Sequence, residues 1–324
     1  MQIRPELDAL RRDDTPQRQA QARLVEDLAR WRAGPAAPLD TELARFGDGA
    51  ELDDLPLLSA LFAPGETAAE DFAAELVARF VAALERDPLG QVPLRHYTDD
   101  LVTTLMLARN ARSTLTLQAL DGTGLARRAA PVSAGFPPSE AIERVLAGSA
   151  QGEVVSIVAA RPGGADLSSA ELHLRAGDVH RRDGSREALI LHSVAGSLVT
   201  LKLQRRTASN AVTHEYRLAD GALVHQAAGN PRDSRLELTA ALLGRMGRTD
   251  AAPLLAAMAE ETGSPALRWQ ALRECLALDS AAGFAALSQL ARRGEDPLCG
   301  PAGALRAQLI ETYPQLAGVA SCPA

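Results

Sequence analysis

The sequence predicts an α+β protein with N-terminal helices, a central antiparallel β sandwich or barrel, and C-terminal α-helical repeats. Three observations carry that expectation. Residues 1–97 place apolar side chains at helical spacing, residues 98–230 break into short β-rich runs joined by Gly-containing turns, and residues 231–324 repeat a helix–turn–helix pattern at an offset of 30. Aromatics are only 3% of the 324 residues, so Leu, Ala and Val must build the core, and Ala and Leu favour helix.

In the first region, "TPQRQAQARLVEDLARWRAG" carries Ala22, Leu24, Leu28 and Trp31 near helical spacing before a Gly-Pro stop. "DTELARF" opens on Asp40 as a helix cap, with Glu42 in the first turn. In "TAAEDFAAELVARFVAALERDP", Thr67 and Glu70 are spaced as a capping box, and Phe72, Leu76, Val77, Phe80, Val81 and Leu84 form one stripe. That stripe is expected to pack on a core.

The character changes near residue 98. Runs 101–108 and 113–120 form an expected hairpin, and "SEAIERVLAG" (139–148) reads as a short helix capped by Ser139, with Glu140 and Glu143 near its start. The β signal returns from 153 in "EVVSIVAA", "SAELHLRAG", "REALILHSVAG", "SLVTLKLQRR" and "THEYRLADGALVHQA". Asp220-Gly221 and Asp183-Gly184 mark two-residue hairpin turns.

From residue 231 the pattern is helical again. "TAALLGRMGRTDAAPLLAAMA" aligns with "WQALRECLALDSAAGFAALSQLA": Ala241 falls on Ala271, Leu242 on Leu272, Met246 on Leu276 and Ala251 on Ala281. A third, degenerate unit is "GPAGALRAQLIETYPQL". One helix pair cannot bury its own apolar face, so pairs stack. Through "AALLGRMGRTDAAPLLAAMA" and "LRWQALRECLALD", residues 233–315 resemble the HEAT-type helical repeat family. The resemblance implies a stacked-helix scaffold whose faces bind other macromolecules, and it brings no catalytic residue. Arg268, Trp269 and Arg273 are the partner-binding candidates, since Trp and Arg are frequent hot spots. Trp269 with Leu272 and Leu276 also fits a core stripe; on that reading Trp269 bridges repeats while Arg268 and Arg273 stay nearer solvent.

The remaining motifs are mostly exclusions. Five of the six histidines (His173, His180, His192, His214, His225) lie in or beside the β region. Its β-rich pattern and Gly turns resemble the cupin family, which holds a metal between strands. That family's first motif needs a His-x-His pair, which is missing here, so a metal set of His173, His192 and His225 remains only a scattered alternative. No G-x-S-x-G occurs, and Cys275 sits among apolar neighbours with no histidine nearby. "RPGGAD" (161–166) and "DGTG" (121–124) lack phosphate-loop spacing and read as turns, and "DGAELDDLP" (48–56) reads as a solvated connector rather than a calcium loop.

Net charge is −7, with Arg127-Arg128 and Arg205-Arg206 as short basic runs, which disfavours a nucleic-acid partner. The opening "MQIRPELDALRRDD" has no apolar signal core, and no apolar stretch is long enough to span a bilayer. Cys275, Cys299 and Cys322 form no paired framework, which fits a reducing, cytoplasmic compartment. The basic residues are 33 Arg and a single lysine, Lys202, read as compositional bias. These observations favour a non-catalytic interaction protein that binds a protein partner through the helical repeats, with no cofactor, no nucleic acid and no membrane. The alternative is a cupin-type small-molecule binder or metal-dependent enzyme with its site in the β region.

Overall fold

The computed structural model describes residues 13–161, 163–207, 212–228 and 231–321. The chain divides into two compact units, residues 1–207 with 215–224, and residues 208–214 with 225–324. It is a mixed α+β protein with N-terminal helices, central antiparallel sheets and C-terminal helices. Among the described residues, no helix is long and apolar enough to cross a membrane.

The first unit opens with α1 (Thr15–Ala33), α2 (Leu39–Gly47), α3 (Pro56–Phe62) and α4 (Ala68–Arg86). Helix α1 buries Ala20, Leu24, Leu28 and Trp31; Ala20 takes the place expected for Ala22, which is exposed. Trp31 packs on Phe72 of α4 with ring centroids 5.2 Å apart. Asp40 lies inside the first turn of α2 rather than at its cap, and Glu42 serves the next helix. Its carboxylate accepts from the Leu57 and Leu58 amides at 3.1 and 2.9 Å, satisfying free donors at the start of α3. The expected capping box of α4 is absent: the Thr67 hydroxyl donates to Asp71, and Glu70 pairs with Arg144. Val77 and Val81 of α4 are about half exposed, because the helix buries its Phe72–Leu76–Phe80 line instead.

Twelve strands follow among the described residues. β1 (His96–Thr98), β2 (Val102–Arg109), β3 (Ser113–Asp121), β10 (Ser197–Arg206), β5 (Ser139–Ala147) and β8 (Val179–Asp183) form a six-stranded sheet in that order. β7 (Gly164–Arg175), β6 (Ser149–Arg161) and β9 (Glu187–Val194) form a three-stranded sheet in that order. β4 (Ser133–Phe136), β11 (Val212–Arg217) and β12 (Leu223–Ala228) complete the set.

The helix expected over 139–148 is strand β5. It lies between β10 and β8 and is covered on both faces, so its sequence lacks the alternation that marks a half-buried strand. The turn at Asp220-Gly221 is real but spans 218–221, closed by the Arg217 amide on the Ala222 carbonyl. Gly221 adopts φ +67°, and a Cβ there would lie 1.8 Å from the Ala165 carbonyl oxygen, so no side chain fits. Asp183-Gly184 is not a hairpin turn, because β8 and β9 belong to different sheets. "DGTG" is the start of a short helix, α5 (Gly122–Arg127), capped by the Asp121 carboxylate on the Gly124 amide.

The six-stranded sheet packs its apolar face on the N-terminal helices. Leu115, Ile142, Leu201 and Leu203 share one core with Trp31, Phe46, Leu58 and Phe72. Arg144 on this face is fully buried. It donates to the Ala63 and Glu66 carbonyls and pairs with Glu70, which fixes the α3–α4 connection to β5.

The second unit holds α6 (Pro231–Arg245), α7 (Ala252–Glu260), α8 (Pro265–Leu278), α9 (Ser280–Leu290) and α10 (Cys299–Thr312), then a 3-10 segment, Pro314–Ser321. Ser264 caps α8 and Asp279 caps α9 through side-chain oxygens. Ala240 of α6 shares a cluster with Ala271 and Cys275 of α8, and Ala259 of α7 shares another with Phe284 and Leu287 of α9. Aligned positions are not equally buried. Leu272 is fully buried, whereas its counterpart Leu242 is 57% exposed, because α6 begins the unit's helices and no earlier helix of that unit covers it.

Candidate functional site

Strand alternation gives the six-stranded sheet two unlike faces. Leu201 and Leu203 of β10 point into the helix-packed core, which sends Leu198, Thr200, Lys202 and Gln204 to the other side. The same rule places Ser139, Ala141 and Glu143 of β5, Gln118 of β3 and Arg182 of β8 on that second face. There they line an open cavity of about 550 Å3, whose opposite wall includes Leu174 of β7 and Ala188–Leu191 of β9. The sheet thus turns its apolar face toward the helices and its polar face toward the cavity.

A charged triplet occupies the polar wall. Lys202 and Glu143 are direct register partners across β10 and β5. Lys202 Nζ lies 2.9 Å from Glu143 Oε1, and Arg182 Nη2 donates to the same oxygen at 2.6 Å. Burial alone would push the Glu143 carboxyl up, but the Lys202 and Arg182 charges outweigh it and hold the group below its ordinary value. Arg182 Nε has no hydrogen-bond partner among the described residues. Gln204 donates to the Ser139 hydroxyl at 3.1 Å, and Thr200 is buried. His180 lies opposite Glu143 on β8; burial first and then Arg182 lower its pKa, so its ring favours the neutral form.

The histidines singled out from sequence lie on three different strands. His173 of β7 is exposed opposite Gln151, His192 of β9 is exposed with Nε2 3.5 Å from Glu153, and His225 of β12 is exposed on a separate strand. His173 and His192 belong to the first unit and His225 to the second. Among the described residues, no group of three His, Cys, Asp or Glu side chains is placed to hold a metal ion. Cys275 is buried with its thiol on the Ala252 carbonyl, and burial pushes its pKa up, as for an inert thiol. Cys322 lies outside the described residues.

The helical candidates separate. Arg268, expected near solvent, is 5% exposed. It donates to the Ala259 carbonyl and makes a two-pronged pair with Asp296, at 3.2 and 2.5 Å. Trp269 is only partly buried against the cluster of Phe284 and Leu287. With Arg273, Phe284, Leu305, Leu309 and Tyr313 it lines a groove of about 640 Å3. The helix phase was legible in the sequence, but the position of Asp296, which draws Arg268 inward, was not.

The cavity's own residues were missed. Lys202 stood out as the only lysine yet was read as composition, and Glu143 was assigned to a helix. The available signal was "SLVTLKLQRR", an alternating strand whose polar positions include that lysine.

No family model and no characterised protein matches the sequence. The helical-repeat resemblance therefore stays with the residues that suggested it. Solved structures that overlay part of the chain include a CENP-C domain of Drosophila melanogaster, at 13% identity and TM-score 0.26, covering 34% of this chain and 72% of that one. A cupin superfamily protein of Desulfitobacterium hafniense overlays at 15% identity and TM-score 0.23, covering 34% and 81%. The ectoine synthase of P. lautus overlays at 10% identity and TM-score 0.22, covering 34% and 68%.

Proposed function

We propose that the β-rich part of the first unit binds a small molecule in the cavity between its sheets. The supporting observation is the polar inner wall: Lys202, Glu143 and Arg182 face an open space instead of a packed core. Pure stability would be served by apolar packing at those positions, since replacing buried ion pairs by hydrophobic side chains is often neutral or stabilising. The volume of about 550 Å3 falls within the range typical of small-molecule sites. The test is a fragment screen by ligand-observed NMR on the full chain, repeated with Ala141→Phe, which fills the cavity. Binding lost in the folded variant supports the site; binding indifferent to the variant removes it.

A second role attaches to the helical unit. The groove containing Trp269 and Arg273 suits a protein partner, in keeping with a HEAT-like scaffold acting in the cytoplasm. Its support is the exposed Arg273 guanidinium beside the apolar Trp269 and Phe284 surface.

A further inference from the structure

We infer that the groove beside Trp269 takes an acidic amphipathic segment of a protein partner. Its apolar side chains sit among Trp269, Phe284 and Leu309, and a carboxylate meets Arg273. The inference rests on the protein-partner reading of that groove and adds the chemistry of the partner.

Charge is the first ground. Arg273 is the one charged residue of the lining, and no carboxylate lines the groove. Its guanidinium is exposed and has no hydrogen-bond or ion-pair partner among the described residues. Elsewhere in the unit Arg248, Arg268 and Arg293 each pair with a carboxylate. The acidic neighbours of Arg273 in sequence are turned to other tasks. Glu274 lies against α6, where a Cβ on Gly244 would sit 1.8 Å from its Oε2, and Asp279 caps α9 outside the lining. A second cation stands behind the floor: the Arg306 guanidinium lies 5.9 Å from the centroid of the Phe284 ring, and its Nε donates to the neutral Ser288 hydroxyl. The charge presented here is positive, so the complementary partner is anionic.

Apolar surface is the second ground. Trp269, Arg273 and Leu276 follow at i, i+4 and i+7 along α8 and share one face of that helix. Phe284 of α9 and Leu305 and Leu309 of α10 complete the apolar lining. Trp269, Leu276, Leu305 and Leu309 pack on the cluster around Phe284 and Leu287 and stay only partly buried. Tyr313, also in the lining, is 50% exposed.

The form of the partner is the third ground. An apolar centre beside an exposed charge follows the plan of a protein interface, and Trp, Tyr and Arg are the residue types that most often carry its binding energy. The groove runs between helices, and an amphipathic helix offers such a groove apolar anchors at i, i+3, i+4 and i+7. Acidic side chains flanking those anchors then reach the exposed Arg273.

The test is fluorescence polarisation on the full chain with three labelled peptides. All carry Leu and Phe at that helical spacing, with Glu, Gln or Lys at the positions between. The Glu peptide is expected to bind at least about threefold tighter than the Gln peptide at low ionic strength, the scale of one exposed ion pair. The Lys peptide should bind most weakly, and the differences should shrink at high salt. Arg273→Glu should reverse the order of the Glu and Lys peptides, a result that loss of fold cannot imitate. Tyr313→Ala, at a half-exposed side chain, should weaken all three. Three peptides bound equally, and all weakened by Tyr313→Ala, would overturn the acidic partner while leaving the protein-partner reading intact. Naphthoate binding as tightly as the Glu peptide would give the groove to a small molecule and overturn the inference. So would a dimer in sedimentation velocity that Tyr313→Ala dissolves, which would give the groove to a second copy of the chain. Failure of all three peptides would sink the inference together with the protein-partner reading.

Discussion

Lys202 and Glu143 face each other across β10 and β5 with Nζ and Oε1 2.9 Å apart, on the side of the sheet that turns away from the helix-packed core. The chain's single lysine therefore lies inside a cavity, and Arg182 shares its carboxylate partner. Glu143 is 9% exposed, so this pairing is felt in stability.

The first prediction follows from the sign of the Glu143 shift. Its folded pKa lies below the ordinary glutamate value of about 4.3, so the stability it supplies is present above that pH. That stability is lost as pH falls through the lower folded value. Denaturation of the wild-type chain should become easier below about pH 4. Glu143→Gln should be less stable at neutral pH and should show a shallower loss on acidification. Parallel pH profiles for the two proteins would refute the assignment.

Arg144 gives the second prediction. Its guanidinium is buried between β5 and the α3–α4 connection, bonded to two carbonyls and to Glu70. Arg144→Ala leaves Glu70 without its partner and empties a packed site, at a cost of about 3–5 kcal/mol. Urea denaturation followed by tryptophan fluorescence reports it, because Trp31 lies in the adjoining core. A change below about 1 kcal/mol would show that the buried arginine is dispensable.

Legibility in the sequence tracked how many faces of an element are covered. Helix α1 and strand β10 each have a clear periodicity, and both were found from it. β5 is covered on both sides, and its adjacent Glu143 and Arg144 serve different faces, which imitates the polar side of a helix. The cavity depends on pairing β10 with β5 and β5 with β8, contacts far apart in sequence that no local pattern encodes. Arg268 shows the same limit, since its partner Asp296 lies in another connection.

The third prediction concerns nucleic acid. Net charge is −7, and the basic runs are partly neutralised where they stand: Arg128 by Asp99 and Asp100, Arg205 by Glu140. Arg206 is bonded to the Ala111 carbonyl. No salt-dependent binding to duplex DNA is expected near physiological ionic strength. A mobility shift at micromolar protein that fades steeply with salt would contradict it.

The fourth prediction lies in the helical unit. Arg268 holds Asp296 below the ordinary carboxylate range, mainly by direct hydrogen bonding, so this pair also supports the fold above that range and weakens on acidification. Arg268→Ala should destabilise the helices by about 3 kcal/mol, because the partly buried Asp296 carboxylate is left without its Arg268 partner and a buried side chain is removed. Limited proteolysis should then cut residues 225–324 sooner while the first unit resists. Equal cleavage of both proteins would return Arg268 to a surface role.

The last prediction separates packing from binding at the Trp269 groove. Trp269 is partly buried, so Trp269→Ala should cost less than the roughly 3–5 kcal/mol of a fully buried tryptophan. It should still lower the thermal midpoint, because the side chain packs against the cluster that holds α8, α9 and α10 together. Arg273 is exposed in the same groove, and Arg273→Ala should stay within about 0.5 kcal/mol of wild type. The two substitutions therefore differ in kind. If the groove holds a protein partner, Arg273→Ala weakens that partner's capture without moving the midpoint, and Trp269→Ala lowers both. If Arg273→Ala leaves capture untouched while Trp269→Ala lowers only the midpoint, the groove is a packing seam and the partner surface lies elsewhere.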